Sequence, residues 1–248
     1  MATSYRSKGS IGYIAPPRCN ETLIEEALAI RPPGLAWCFA TLGMADFGER
    51  NFAEALDAVE EAAVQLVERG VDMVVYSGVP LTASRDKNFH GQLEQQIAKR
   101  IGASVPVVTD SSLVLRALDA LAVRRVTLIP PYRAPPVVKA TQMLEANGLE
   151  VVDATGEELS LGQLLTDLND DSAFDAAMKS FEANPDTEGF YLSCPQWPVV
   201  EAVERLEKAT GKPVVTQLQA VLWWAMDTLG LKTDAPAIPL GRLMEVSP

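Results

Sequence analysis

Histidine is nearly absent from this chain of 248 residues, which contains only His90. A zinc site with several histidine ligands therefore cannot form, and Ser-His-Asp or Cys-His catalysis would have to use this one residue. His90 lies in the polar segment 85–92, which is typical of the beginning of a helix and of a solvated side chain. We therefore expect no metal site and no catalytic histidine.

Nucleotide-binding motifs and paired cysteines are absent too. No Gly-x-Gly-x-x-Gly occurs, and the Gly-Lys pair at 211–212 lacks the earlier glycine that a Walker loop demands, so we expect no nucleotide cofactor. The three cysteines, Cys19, Cys38 and Cys194, are far apart in the sequence. Their odd number argues against a secreted disulfide framework.

Positive charge and long apolar runs are scarce. Lys and Arg together number 21 against 33 Asp and Glu, which gives a net charge of −12 that a phosphate backbone repels. The longest apolar run, 35–45, is too short to span a bilayer, and the first ten residues lack the apolar stretch of a signal peptide. We therefore expect a reduced, soluble, cytoplasmic protein with no nucleic-acid or membrane partner. The oligomeric state stays open.

Short β-rich runs alternate with longer amphipathic stretches along the chain. The stretch 51–69 carries apolar residues at helical spacing. The predicted strands are 10–15, 73–76, 105–109, 126–129, 150–153, 189–192 and 214–216. Alternating strands and helices imply an α/β fold in which helices cover both faces of a parallel sheet.

An internal repeat refines this prediction. The following segments recur in the same order in the second half of the chain: 14–16 at 129–131, 73–78 at 189–194, and 106–109 at 213–216. Generic strand-turn-helix units that look alike are one explanation. We favour the other, which is two similar Rossmann-like lobes related by a pseudo-two-fold axis. Since ligands bind beyond the carboxyl ends of parallel strands, we expect the active site in the cleft between the lobes.

The repeat places Gly78 and Cys194 at equivalent strand ends. Turn residues and a predicted helix at 199–208 follow Cys194, and a thiol at a helix N-terminus can have a lowered pKa and act as an acid or a base. The alternative is a small buried core residue, which is the interpretation we favour for Cys19 and Cys38. The position of Cys194 at a strand end favours a functional role.

The strand-end segments resemble a known family. Ile-Gly-Tyr-Ile-Ala-Pro-Pro at 11–17, Gly78 in its loop, Pro131 with Tyr132, and Leu-Ser-Cys at 192–194 are similar to the aspartate/glutamate racemase superfamily. Within it, the chain most resembles the branch of arylmalonate decarboxylase and maleate cis-trans isomerase. The resemblance covers nearly the whole chain.

The resemblance implies a domain organisation and a chemistry. The chain would cross back, so that 1–114 plus 219–248 form the first lobe and 115–218 the second. Members of the family transfer a proton next to a carboxylate without a cofactor, and two strand-end positions face the substrate from opposite sides. Racemases and maleate isomerases carry cysteine at both positions, whereas arylmalonate decarboxylase carries glycine and then cysteine, as Gly78 and Cys194 do.

This pair of residues favours one reaction. One thiol can deliver a proton to one face of a planar intermediate, but it cannot perform two-base racemisation. The resemblance therefore implies a decarboxylase of a small malonate-like dicarboxylic acid, in which Cys194 protonates an enediolate-type intermediate. Two alternatives stay open: an isomerase or racemase of a small carboxylic acid, either maleate-like or an amino acid, and a non-catalytic carboxylate-binding protein.

The predicted site combines the two strand-end positions with their neighbouring loops. Its catalytic positions are Cys194 and Gly78, and its substrate-binding residues are Pro16, Ser77, Val79, Pro80, Tyr132, Ser193, Pro195 and Gln196. Where the decarboxylase family has Thr and Ser after the glycine, this chain has Val79 and Pro80, and Pro195 has no N–H to donate. Either the polar residues of the set hold the substrate carboxylate instead, or the substrate differs.

Overall fold

Strands and helices alternate along the chain, as the sequence predicts. The structure is a computed structural model, and it describes residues 5–46, 48–82, 88–102, 104–132, 136–156, 159, 163, 169, 171–231 and 234–248, without the side chains of 80 and 81. The strands within these residues are β1 Gly9–Pro17, β2 Leu35–Met44, β3 Met73–Tyr76, β4 Val107–Thr109, β5 Arg125–Ile129, β6 Glu150–Asp153, β7 Gly189–Leu192 and β8 Val214–Thr216.

These strands form two parallel sheets of the same topology. The orders are β2-β1-β3-β4 and β6-β5-β7-β8, so each strand of the first sheet has an equivalent in the second. The recurring segments fall at the equivalent pairs β1 and β5, β3 and β7, and β4 and β8. The predicted fold class, two similar parallel α/β lobes, is therefore confirmed.

Strand β2 is missing from the predicted set, and its position explains why. It is the edge strand of the first sheet and pairs with β1. Its residues are largely apolar on both faces, so it lacks the alternation that marks a half-buried strand. Trp37 and Phe39 share one face, where their rings stack with centroids 5.9 Å apart beside Tyr13 of β1.

Helices connect the strands and cover the sheets. In the described part of the chain they are α1 Glu21–Ile30, α2 Glu49–Glu68, α3 Val79–Thr82, α4 Phe89–Ile101, α5 Asp110–Ala120, α6 Pro136–Ala146, α7 Ser172–Ala183, α8 Val200–Thr210 and α9 Gln217–Thr228, followed by a 3₁₀ turn at Arg242–Glu245. Helix α2 matches the predicted helix at 51–69 and buries Phe52, Ala55 and Val59. Among the described residues, no helix is both long and apolar enough to cross a membrane.

Helices α5 and α9 begin directly after β4 and β8. Thr109 and Thr216 cap them, because each side chain accepts a hydrogen bond of 3.2 Å from the backbone N–H three residues further on. A capping box reinforces the second cap. The caps fix the first residues of the two helices, Asp110 and Gln217, at equivalent places beside the ends of the sheets.

The loops after β3 and β7 also leave their sheets in the same way. The Ser77 N–H donates to a β1 carbonyl and the Ser193 N–H donates to a β5 carbonyl, both at 2.9 Å. Each bond extends the strand pairing by one residue, so Gly78 and Cys194 are the first residues beyond it.

The predicted domain boundaries concern the helices that connect the two sheets. Strand β8 completes the second sheet, yet α9, which follows it, packs against α5, which follows β4 of the first sheet. The division into 1–114 plus 219–248 and 115–218 stays a prediction.

Candidate active site

A pocket opens at the carboxyl ends of the strands from both sheets. The pocket lies beyond the strand ends, which is where α/β proteins bind their ligands. The predicted residues that line it are Pro16, Ser77, Gly78, Val79, Tyr132, Cys194, Pro195 and Gln196. It is also lined by residues that were not predicted to bind substrate, namely Ala15, Pro17, Asn20, Leu23, Met44 and Gln217.

The two other predicted residues lie differently. Ser193 is buried and is not a lining residue. Pro80 lies in α3, and its side chain falls outside the described part of the structure.

His90 is half-buried in the first turn of α4 and does not line the pocket. Over the described ranges, no group of three or more His, Cys, Asp or Glu side chains could hold a metal ion.

Cys194 leaves β7 in a backbone conformation that side chains with a Cβ rarely adopt. Its φ is +108°, and Gly78 at the equivalent strand end has a φ of +133°. The Cys194 residue is 5% exposed, and its N–H donates to Oε1 of Gln217 at 3.0 Å. Backbone strain of this kind persists only where surrounding contacts hold it, and it is common at active sites.

The Cys194 thiol is neutral at pH 7. Burial raises its pKa to about 12, against a smaller lowering by the backbone N–H groups of Gln196 and Trp197. The lowered pKa that a thiol at a helix N-terminus can have is not found here. Cys194 does not lie at a helix N-terminus, because α8 begins only at Val200.

The first lobe carries a buried carboxylate beneath its strand-end loop. Oδ2 of Asp110 accepts hydrogen bonds from the Ser77 hydroxyl at 2.9 Å and from the Gly78 N–H at 3.1 Å. Asp110 is fully buried, and its Oδ1 has no hydrogen-bond partner among the described residues. Burial raises its pKa to about 6, although its hydrogen bonds oppose that shift. These two donors therefore point to Asp110 and not into the pocket.

In the loop after β7, the side-chain amide of Gln196 also donates its hydrogen bonds within the protein. Nε2 of Gln196 donates to the Cys19 carbonyl at 2.8 Å and to Oδ1 of Asn20 at 2.7 Å. Cys19 is exposed in the turn after β1, so the prediction that it is a core residue is wrong.

Tyr132 lines the pocket, and its pKa is raised by burial first and then by the nearby Cys194. Since burial keeps the phenol protonated, Tyr132 can act as a hydrogen-bond donor.

Comparison with known proteins decides the family. The model of the family described as arylmalonate decarboxylase matches residues 11–244. The chain belongs to the arylmalonate decarboxylase family. The resemblance seen in its strand-end segments is thereby confirmed.

Individual relatives of this family member are decarboxylases and isomerases. The chain is 29% identical over 247 residues to the arylmalonate decarboxylase of Bordetella bronchiseptica, across 97% of this chain and 98% of that protein. It is 26% identical over 216 residues to a maleate isomerase of Pseudomonas putida, across 84% of each. A solved maleate isomerase variant from Pseudomonas putida S16, with maleate, matches the fold with a TM-score of 0.81 at 20% identity, across 95% of this chain and 97% of that one.

Membership of the arylmalonate decarboxylase family makes this chain an enzyme of the lyase or isomerase class, as the resemblance implies. The two reactions to be distinguished are decarboxylation and isomerisation. The distinction depends on what Cys194 and the residues around it can do.

Two residues that contact the strand-end loops were missed by the sequence analysis. Asp110 and Gln217 directly follow the recurring segments 106–109 and 213–216, and each accepts the N–H of the residue at an equivalent strand end. The internal repeat could have identified them. Segments that recur at strand ends imply that the residues directly after them make equivalent contacts. Their side chains differ, so a search for recurring residue types does not find them.

The buried carboxylate leads to a prediction about stability. Because the pKa of Asp110 is raised from 3.8 to about 6 in the folded chain, its contribution to stability is full below pH 3.8 and is lost as the pH rises through 6. Asn at this position keeps an oxygen that accepts the Gly78 N–H and does not ionise. We expect Asp110→Asn to gain about 3 kcal/mol in unfolding free energy relative to wild type between pH 4 and pH 7.

Urea unfolding of both proteins at several pH values measures this difference. Asp119→Asn is the matched control, because Asp119 is on the same helix but is exposed and pairs with Arg124 at the surface. If the difference in unfolding free energy between Asp110→Asn and wild type stays constant with pH, Asp110 does not titrate as described.

Proposed function

We propose that the chain is a cofactor-independent decarboxylase of a small malonate-like dicarboxylic acid, with Cys194 as the proton donor. One observation carries the proposal: a neutral, buried thiol at one strand end lines the same pocket as a glycine at the equivalent strand end. A site built in this way has an acid on one side of the ligand and no side chain on the other.

The proposed reaction consists of loss of CO₂ followed by transfer of one proton. The bond between the α-carbon and one carboxylate breaks, CO₂ leaves, and the electron pair stays on the α-carbon and the remaining carboxylate as an enediolate. The Cys194 thiol then gives its proton to the α-carbon, and the thiolate regains a proton from solvent. Tyr132 donates to the remaining carboxylate, while the departing one lies against the apolar side chains of Leu23, Met44 and Val79.

The raised pKa of Cys194 supports decarboxylation over the isomerase alternative. Nucleophilic addition to a double bond, or removal of an α-proton, requires the thiolate, which is scarce at pH 7 when the pKa is about 12. Protonation of a strongly basic enediolate requires the neutral thiol, which is abundant. Gly78 offers no second acid or base for two-base chemistry.

We also propose that the enzyme acts in the cytoplasm. All three cysteines are free, and Cys19 is exposed. An exposed free thiol suits a reducing compartment. The proposed partner is limited to the small carboxylate substrate.

A substrate panel tests the proposal. Purified protein is incubated with methyl-, phenyl- and dimethylmalonate carrying ¹³C in the carboxylates, and with maleate and the two enantiomers of aspartate and glutamate. We expect ¹³C-bicarbonate from at least one malonate and no turnover of the other compounds, with Cys194→Ala as the control for contaminating activity. Conversion of maleate to its trans isomer, or racemisation of an amino acid, would replace the proposal with the isomerase alternative. Carboxylate binding with no turnover of any compound would favour the binding-protein alternative.

A further inference from the structure

The side-chain amide of Gln217 lies at the pocket and has two hydrogen-bonding groups, an acceptor oxygen and a donor NH₂. Gln217 is the first residue of α9, is 2% exposed, and lines the pocket. Its Oε1 accepts the Cys194 N–H at 3.0 Å. The Thr216 cap fixes the backbone from which this side chain extends.

The orientation of the amide follows from this hydrogen bond. A backbone N–H can only donate, so the oxygen of Gln217 must face Cys194 and the NH₂ group must face elsewhere. This NH₂ group has no hydrogen-bond partner among the described residues, although the residue is almost fully buried. The NH₂ group is not among the enclosed atoms that lack a partner, so it is open to the pocket, where a ligand acceptor can pair with it.

The equivalent residue of the first lobe cannot do the same. Asp110 accepts the Gly78 N–H as Gln217 accepts the Cys194 N–H, but an ionised carboxylate has no donor. The negative charge of Asp110 also repels an anion on its side of the pocket. A carboxylate is therefore favoured on the side of Cys194, where the amide offers a donor that Pro195 cannot supply.

We propose that Gln217 is a substrate-binding residue whose Nε2 donates to the carboxylate retained on the product. Its Oε1 at the same time holds Cys194 in its strained conformation. One amide thus fixes the acid and the anion relative to each other, and it takes the place of the hydroxyl donors missing at Val79 and Pro80. The identity of the ligand as a carboxylate rests on the proposed function.

Binding of two isosteric probes to Gln217→Met tests this role. Isobutyrate and isobutyramide differ in charge but hardly in shape, and their dissociation constants are measured by calorimetry or NMR titration at pH 8.5. The wild type is expected to prefer isobutyrate. Gln217→Met should weaken isobutyrate binding about tenfold or more, because a hydrogen bond to a charged group is lost, and should weaken isobutyramide binding less. An unchanged preference for isobutyrate in Gln217→Met, or none in the wild type, would overturn the inference.

A second variant tests the donor role of Gln217 separately from its hydrogen bond to the Cys194 N–H. Gln217→Glu keeps an oxygen that accepts the Cys194 N–H but presents no NH₂ group to the ligand. We expect it to bind isobutyramide better than isobutyrate. If Gln217→Glu bound isobutyrate as tightly as the wild type does, the inference would be wrong. Loss of isobutyrate binding in these variants without turnover of any malonate would overturn the proposed function alone.

Discussion

Replacement of Cys194 by alanine is expected to lower kcat/KM for decarboxylation by about 10²- to 10⁴-fold, the usual contribution of a general acid. The variant keeps the pocket and the contacts of the Cys194 backbone, including the N–H that Gln217 accepts. It lacks only the proton source. The enediolate must then wait for a proton from water, which a pocket with a mainly apolar lining admits poorly.

Steady-state CO₂ release and thermal unfolding of the same preparations measure the effect. Cys38→Ala is the matched control, because Cys38 lies on the half-buried edge strand β2 and does not line the pocket. We expect it to have the activity of the wild type. Full activity in Cys194→Ala would remove Cys194 from the mechanism.

Introduction of a second thiol at Gly78 is expected to change the stereochemistry of the reaction. If positions 78 and 194 face the intermediate from opposite sides, Gly78→Cys supplies a proton to the other face, and the product loses enantiomeric purity. The double variant Gly78→Cys with Cys194→Ser should favour the opposite enantiomer and keep part of the activity. Chiral chromatography of the product from a disubstituted malonate gives the ratio directly.

The backbone at position 78 adds a cost to these variants. Gly78 has a φ of +133°, which strains any residue with a Cβ, and strain of this kind costs about 1–3 kcal/mol. Cys194 occupies a similar conformation at the equivalent strand end, with a φ of +108°, so a cysteine is compatible with it. We therefore expect a lower melting temperature but a folded protein. A folded Gly78→Cys enzyme with unchanged enantiomeric purity would show that the two positions do not face one intermediate.

The sheets could be predicted because they combine local and repeated signals. Strands β3, β6, β7 and β8 have the predicted bounds, since each is a short apolar run between turn residues. The recurring segments also indicated two lobes of equal topology, which no single segment can show. Strand β2 could not be recognised in this way, because its apolar residues face both sides of the sheet and give no period.

The chemistry of the site could be predicted only in part. The sequence shows that Cys194 ends a strand, but its burial depends on packing from both lobes, and it is burial that raises its pKa. The contacts of Asp110 and Gln217 likewise depend on which loops the strand order brings beside them. Residue types at strand ends can therefore be read from the sequence, whereas the donors left free for a ligand cannot.

Decarboxylation of a prochiral malonate in D₂O by the wild-type enzyme shows whether Cys194 delivers the proton from one face. With methyl(phenyl)malonate, ¹H NMR and chiral chromatography report where deuterium is incorporated and in which enantiomer. Delivery by Cys194 from one face predicts one equivalent of CO₂ per product, one deuterium at the α-carbon, and one enantiomer in large excess. Racemic deuterated product, formed at the same rate by Cys194→Ala, would show that Cys194 does not deliver the proton.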